Sequence, residues 1–105
     1  PTRGNHEATG PLYDEVLGAP GGAGRNYYAT ELSPEVLLLT LNTEIAAGGD
    51  QARFLEAALD ARRATRWQVA QYHRPLWPAV KQPATAAPHW LPLFDRFALD
   101  LALEN

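Results

Sequence analysis

From residue 35 onward the chain reads strand, helix, strand, helix, strand, which predicts an α/β domain whose largely parallel sheet is covered by helices. Three observations carry that prediction. Residues 36–41 form a nearly continuous apolar run, Phe54, Leu55, Ala58 and Leu59 recur at helical spacing, and residues 67–72 alternate in a β-prone pattern. At 105 residues there is room for one small domain, and 46% apolar with 20% charged residues suits a globular chain rather than a disordered or coiled-coil one. The longest strongly apolar run is six residues, far short of the roughly 20 needed to cross a bilayer, so no membrane span is expected.

The elements follow in order. Residues 8–26 hold Gly10-Pro11 and a glycine-rich run at 18–24, and read as a long variable surface loop. Tyr27-Tyr28-Ala29-Thr30, the punctuation Ser33-Pro34 and the apolar run ending near Thr43 predict a hairpin, with the second strand central and covered on both sides. Gly48-Gly49 before Asp50 predicts a helix start with Asp50 as the N-cap, and Arg62 and Arg63 suit its C-terminal end. Arg66 joins them in a small basic cluster that reads as a solvated helix end. Residues 67–72 are then a strand, followed by a loop with Pro75, Pro78, Pro83 and Pro88. A short helix is expected over about residues 90–98 with Pro92 in its first turn, then a last buried strand at 99–103.

Charge and composition remove several functions. Nine basic against twelve acidic residues give a net charge of −3, which is not the footprint of a general nucleic-acid binder or of a protein drawn to acidic membranes. With no cysteine, disulfides, thiolate metal sites and cysteine nucleophiles are excluded, and the redox compartment stays open. The chain lacks methionine and opens Pro1-Thr2-Arg3-Gly4 with no leader pattern, as expected of a processed or excised chain or of a fragment. Nothing in the sequence speaks to oligomeric state.

In open α/β sheets ligands collect beyond the carboxyl ends of the strands. His73 directly follows the strand 67–72 and is the first residue to consider there. His6 lies between Asn5 and Glu7, and two histidines, an amide oxygen and a carboxylate form a donor set suited to a borderline or hard cation. A surface or packing role is the alternative for each, and for His89, which lies in a loop near a helix start.

The order of segments adds to this. Gly4-Asn5-His6-Glu7 resembles the Gly-Asn-His-Asp/Glu signature of the calcineurin-like metallophosphoesterases, in the Glu form typical of their purple acid phosphatase branch. Tyr27-Tyr28, then Leu41-Asn42-Thr43-Glu44, then Gln51 with Phe54-Leu55, then residues 67–72 leading into His73-Arg74-Pro75-Leu76 are similar to that family's later segments, in the same order. The resemblance covers about residues 4–105, apart from the glycine-rich run.

The resemblance implies a four-layer αββα sandwich with a mixed, largely parallel sheet. It implies hydrolysis of phosphate monoesters or diesters of small molecules by a hydroxide generated at a pair of metal ions, Fe, Zn or Mn. Asn5 and His73 would be ligands of one metal, His6 the general acid toward the leaving-group oxygen or a transition-state hydrogen-bond donor, and Glu7 a hydrogen-bonding support for His6. Arg74 reads first as a solvated strand-end arginine and second as a contact for a substrate phosphate. His89 matches the family's substrate-facing histidines only loosely, and Trp77 and Trp90 read as core or rim packing before a substrate mouth. Two cations about 3.5–4 Å apart clamp the attacking and leaving oxygens. Family members are often exported, which favours an extracytoplasmic location.

The family's upstream aspartate motifs and its final Gly-His-x-His motif have no counterpart in these residues. The expectation is therefore a middle piece of a catalytic domain, inactive by itself, from a catalytic parent. The rival expectations are a binding module that keeps the scaffold without catalysis, and a small independent α/β interaction domain.

Overall fold

The computed structural model describes residues 1–7, 11–78 and 84–104. Residues 8–10, the start of the expected loop, and Pro83 lie outside these described residues. The elements are α1 (Leu12–Leu17), β1 (Tyr28–Ser33), β2 (Val36–Thr40), α2 (Asp50–Ala61), β3 (Trp67–Tyr72), α3 (Ala87–Phe97) and β4 (Leu101–Glu104). They build an α/β domain around one four-stranded sheet in the order β1-β2-β3-β4. The hairpin β1-β2 is antiparallel, and β2-β3 and β3-β4 are parallel.

Strand alternation decides which side chains meet the helices. Leu37 and Leu39 stand opposite Gln68 and Ala70 across the β2-β3 ladder. With Tyr72 they pack on Leu55 and Leu59 of α2 and on Trp90 and Phe94 of α3, forming one core on one face of the sheet. Tyr72 and Trp90 meet edge to face, with centroids 5.5 Å apart. Arg96 of α3 ties to Glu56 of α2 at 2.6 Å on the outside. The opposite face carries Leu38, Val69 and Leu101 in register, and these are only partly covered or exposed.

Several local expectations need correction. The stretch expected to be a long loop, residues 8–26, contains α1, a single six-residue helix closed by Gly18 at φ 73°. Its Asp14 accepts from Gly24 N–H at 2.9 Å and from Asn26 Nδ2 at 2.6 Å, so a non-local carboxylate contact shapes the loop that follows. At α2 the capping position is Gly49, at φ 59°, and Asp50 is the first helical residue, paired with Arg53. Glycine takes that left-handed φ at little cost, whereas aspartate would not, and Asp50 still suits the positive end of the helix dipole.

Helix α3 begins at Ala87, not near residue 90, so Pro92 is an interior residue rather than a first-turn one. An interior proline removes one backbone hydrogen bond and costs about 3 kcal/mol. Burial of Trp90 and Phe94 on the opposite side of α3 offsets that cost. Strand β4 is not buried: it is an edge strand, with Leu101 51% and Leu103 46% exposed. The basic cluster is solvated and paired, Arg62 with Glu31 at 2.8 Å, Arg63 with Asp60, and Arg66 with Glu35 at 3.9 Å. Such exposed pairs contribute little to stability.

Candidate metal centre

Residues 4–7 fold into one tight turn. Glu7 N–H donates to the Gly4 carbonyl at 3.2 Å, and Gly4 N–H donates back to Glu7 Oε2 at 3.0 Å. The buried Arg3 guanidinium closes the turn from behind, donating to the Glu7 carbonyl from Nε at 3.1 Å and Nη2 at 2.8 Å. Gly4 leaves little room for a side chain. A Cβ there would stand 3.1 Å from ring atoms of His73 and from Glu7 Oε2, so glycine lets the imidazole rest on the turn.

His73 is the first residue past β3. Its Nε2 meets Asn5 Oδ1 at 2.8 Å, across 68 residues of sequence. An amide oxygen only accepts, so in this contact His73 donates from Nε2. Neighbouring ligands of an octahedral ion with bonds of about 2.1 Å would stand about 3.0 Å apart. The separation of these two atoms is close to that of two neighbouring ligands, and here a hydrogen bond spans it. Among the described residues no group of three or more His, Cys, Asp or Glu side chains that could hold a metal ion is found.

The carboxyl end of β2 forms the second wall. Asn42 and Gln51 are fully buried, and Gln51 Oε1 accepts from Asn42 N–H at 2.8 Å while its Nε2 donates to the carbonyls of Asn42 and Ala46 at 3.0 and 3.2 Å. Asn42 Oδ1 accepts from Glu44 N–H at 2.9 Å. The Glu44 carboxylate takes the Arg74 guanidinium in a two-pronged pair, Nε at 2.7 Å and Nη2 at 2.8 Å. That pair holds the Glu44 carboxyl below its ordinary range, against the opposing effect of burial.

The structure therefore brings together Asn5 and His73, with Gly4 and Glu7 beside them. His6 is exposed in the same turn. The Glu7 carboxylate accepts from Gly4 N–H, within the turn that carries His6, and not from His6 among the described hydrogen bonds. Arg74 presents its fork to Glu44. His89 lies elsewhere, its ring against Gly48 in an open cleft of about 590 Å³ shared with Arg25, Tyr27 and Thr85 and not with Asn5 or His73. Of the two tryptophans, Trp77 is 73% exposed, while Trp90 is fully buried and donates from Nε1 to the Ala47 carbonyl at 3.0 Å. Trp90 is a core residue and does not line a mouth.

Three residues that sequence reasoning passed over matter here. Arg3, Asn26 and Asp14 join the turn to the loop, Arg3 Nη1 donating to Asn26 Oδ1 at 2.7 Å. No spacing signals them, because each meets its partner across 12 or 23 residues of irregular chain. Asp14 yields a testable outcome. Hydrogen bonds from Asn26 and then Gly24 hold its carboxyl below the ordinary 3.8. A depressed folded value contributes stability above the unfolded value, lost as pH falls through the folded one. Urea unfolding at pH 7, 4 and 3 should show an acid loss that is shallower in Asp14→Asn; identical slopes in the two proteins would remove Asp14 from the account.

Compared with protein-family models, with curated proteins and with solved structures, the chain has no match in any of the three.

Proposed function

We propose that these residues form part of a two-metal centre that hydrolyses phosphate esters, with Asn5 and His73 as ligands of one of two cations (Fe, Zn or Mn). The observation that carries the reading is the 2.8 Å approach of Asn5 Oδ1 to His73 Nε2, from 68 residues apart in the chain, at the carboxyl edge of the sheet. The resemblance of Gly4-Asn5-His6-Glu7 and of the four later segments to the metallophosphoesterases supplies the chemistry. The cations, when bound, neutralise phosphoryl charge and provide the nucleophile at neutral pH. Asn5 offers a neutral oxygen, which leaves the cation more electrophilic than a carboxylate would.

His6, exposed in the turn, donates a proton to the leaving-group oxygen of a phosphate monoester or diester. Glu7 keeps the turn closed so that His6 and Asn5 hold fixed directions. The Arg74 guanidinium is taken up by Glu44 and His89 lies in another cleft, so neither is assigned to the substrate. The partly covered face of Leu38, Val69 and Leu101 is where the second sheet of a four-layer αββα sandwich would pack.

The test uses the longest natural chain that contains these residues, assayed on aryl phosphate mono- and diesters with zinc, manganese or iron supplied. Hydrolysis should be abolished by chelator. Asn5→Ala and His73→Ala should weaken metal binding by calorimetry, and His6→Ala should slow turnover about 10²–10⁴-fold with metal retained. A chain that binds no metal and cleaves neither ester overturns the proposal and leaves a binding module on the same scaffold.

A further inference from the structure

We propose that Asn26 and Asn42 are positioning residues, a buried polar strut that sets the separation of Asn5 and His73 from behind. The inference rests on the reading that those two donors share a cation. Both asparagines are fully buried, and their hydrogen bonds among the described residues go to groups other than the two donors. The path is continuous. Arg3, which clasps the Glu7 carbonyl of the Asn5 turn, donates to Asn26 Oδ1 at 2.7 Å. Asn26 follows Arg25 in the chain, and the Arg25 carbonyl accepts from Asn42 Nδ2 at 2.8 Å. Asn42 Oδ1 then accepts from Glu44 N–H, and the Glu44 carboxylate grips Arg74, the residue after His73. Arg74 N–H donates to Thr43 Oγ1 at 3.1 Å, so the backbone beside His73 is fixed as well as the side chain.

The chemistry of each link admits one orientation. Asn26 meets a guanidinium on one side and the Asp14 carboxylate on the other, so its oxygen must face Arg3 and its nitrogen Asp14. Asn42 meets a carbonyl and an N–H, and is oriented just as firmly. Asn26 also takes a left-handed φ of 51°, which asparagine tolerates better than most residues. Aspartate at position 26 would face Asp14, and at position 42 it would turn an acceptor toward the Arg25 carbonyl. The strut ends on the residue groups that flank the two donors, and buried Gln51 braces it at Asn42, accepting from Asn42 N–H at 2.8 Å and donating to the Asn42 carbonyl at 3.0 Å.

Two readouts test this on the folded chain. The first is the nuclear Overhauser contact between the His73 ring and the Asn5 side-chain amide, recorded without metal. The second is the zinc affinity of the longest natural chain containing these residues. Asn26→Gly, which keeps the backbone conformation, and Asn42→Ala should each lose the contact and bind zinc ten- to a hundredfold more weakly, as supports behind metal ligands do. Arg3→Lys, which retains the charge but not the fork, is the milder variant should either asparagine change prevent folding, and it should weaken both readouts. Leu59→Ala, a core cavity on α2, controls for lost stability and should change neither.

If the strut variants keep the wild-type contact and affinity, or if Leu59→Ala loses them equally, the proposal is overturned. If wild type binds none of zinc, manganese or iron while the strut variants still lose the contact, the strut stands and the phosphoesterase reading fails. If wild type and strut variants bind zinc equally, the strut fails while the metal site that the phosphoesterase reading needs stands.

Discussion

Replacing Gln51 with leucine is expected to destabilise the chain by about 3–5 kcal/mol, a large share of the roughly 5–15 kcal/mol typical of a whole domain. The side chain is 1% exposed and makes three hydrogen bonds, to Asn42 N–H and to the carbonyls of Asn42 and Ala46. Leucine fills much of the same space and satisfies none of them. Each buried backbone group left without a partner costs about 1–3 kcal/mol, so the loss comes from the backbone that remains and not from the amide removed. Gln51→Glu is the informative companion. It keeps an acceptor for Asn42 N–H but sets a carboxylate against two carbonyls, and should be no more stable than the leucine variant. Urea unfolding reads the effect as a lower midpoint at unchanged slope. A Gln51→Leu midpoint equal to wild type would mean that the loop after β2 is held by something else.

Trp90→Ala is expected to cost about 3–5 kcal/mol through the cavity it leaves. Trp90 is fully buried, touches Tyr72 edge to face and donates to the Ala47 carbonyl, so it joins α3, β3 and the loop before α2 at one point. Trp90→Phe keeps most of the apolar contact and loses the N–H, and should fall between wild type and alanine. Fluorescence provides a second check. Trp67 and Trp77 are 47% and 73% exposed, so Trp90 supplies the blue-shifted part of the emission, and Trp90→Phe should leave a red-shifted spectrum. An unshifted spectrum would place Trp90 in solvent and contradict the core as described.

These two sites show where sequence reading holds and where it stops. The helical spacing of Phe54, Leu55, Ala58 and Leu59 was enough to find α2, and the apolar run and the alternation that follows found β2 and β3. Those signals are local, because the side-chain period of an element is set by its own backbone. Gln51 and Trp90 carried no such signal for their roles. Gln51 drew notice through a resembling segment, and for Trp90 core or rim packing was favoured over a substrate mouth only from general burial tendency. What decides both is the return of the chain: Trp90 bonds to Ala47 across 43 residues.

Element ends went astray for related reasons. Gly49 rather than Asp50 caps α2 because the entering backbone has a left-handed turn that spacing does not reveal. Strand β4 has the composition of a buried strand yet lies at an edge, because burial belongs to the neighbours a strand finds and not to its residues. Helix α1 survives among glycines with its Asp14 bound to Gly24 and Asn26.

By itself the sequence determined the α/β class, the hairpin, the order of the later elements and the placing of His73 beyond a strand end. Only the tertiary structure decided that Asn5 and His73 stand 2.8 Å apart, that Arg74 is paired with Glu44, and that His89 lies in another cleft. The physical reason is the same in each case. Periodicity is written along the chain within a few residues, whereas a polar side chain buried or paired at a site takes its meaning from partners that the fold brings in from tens of residues away.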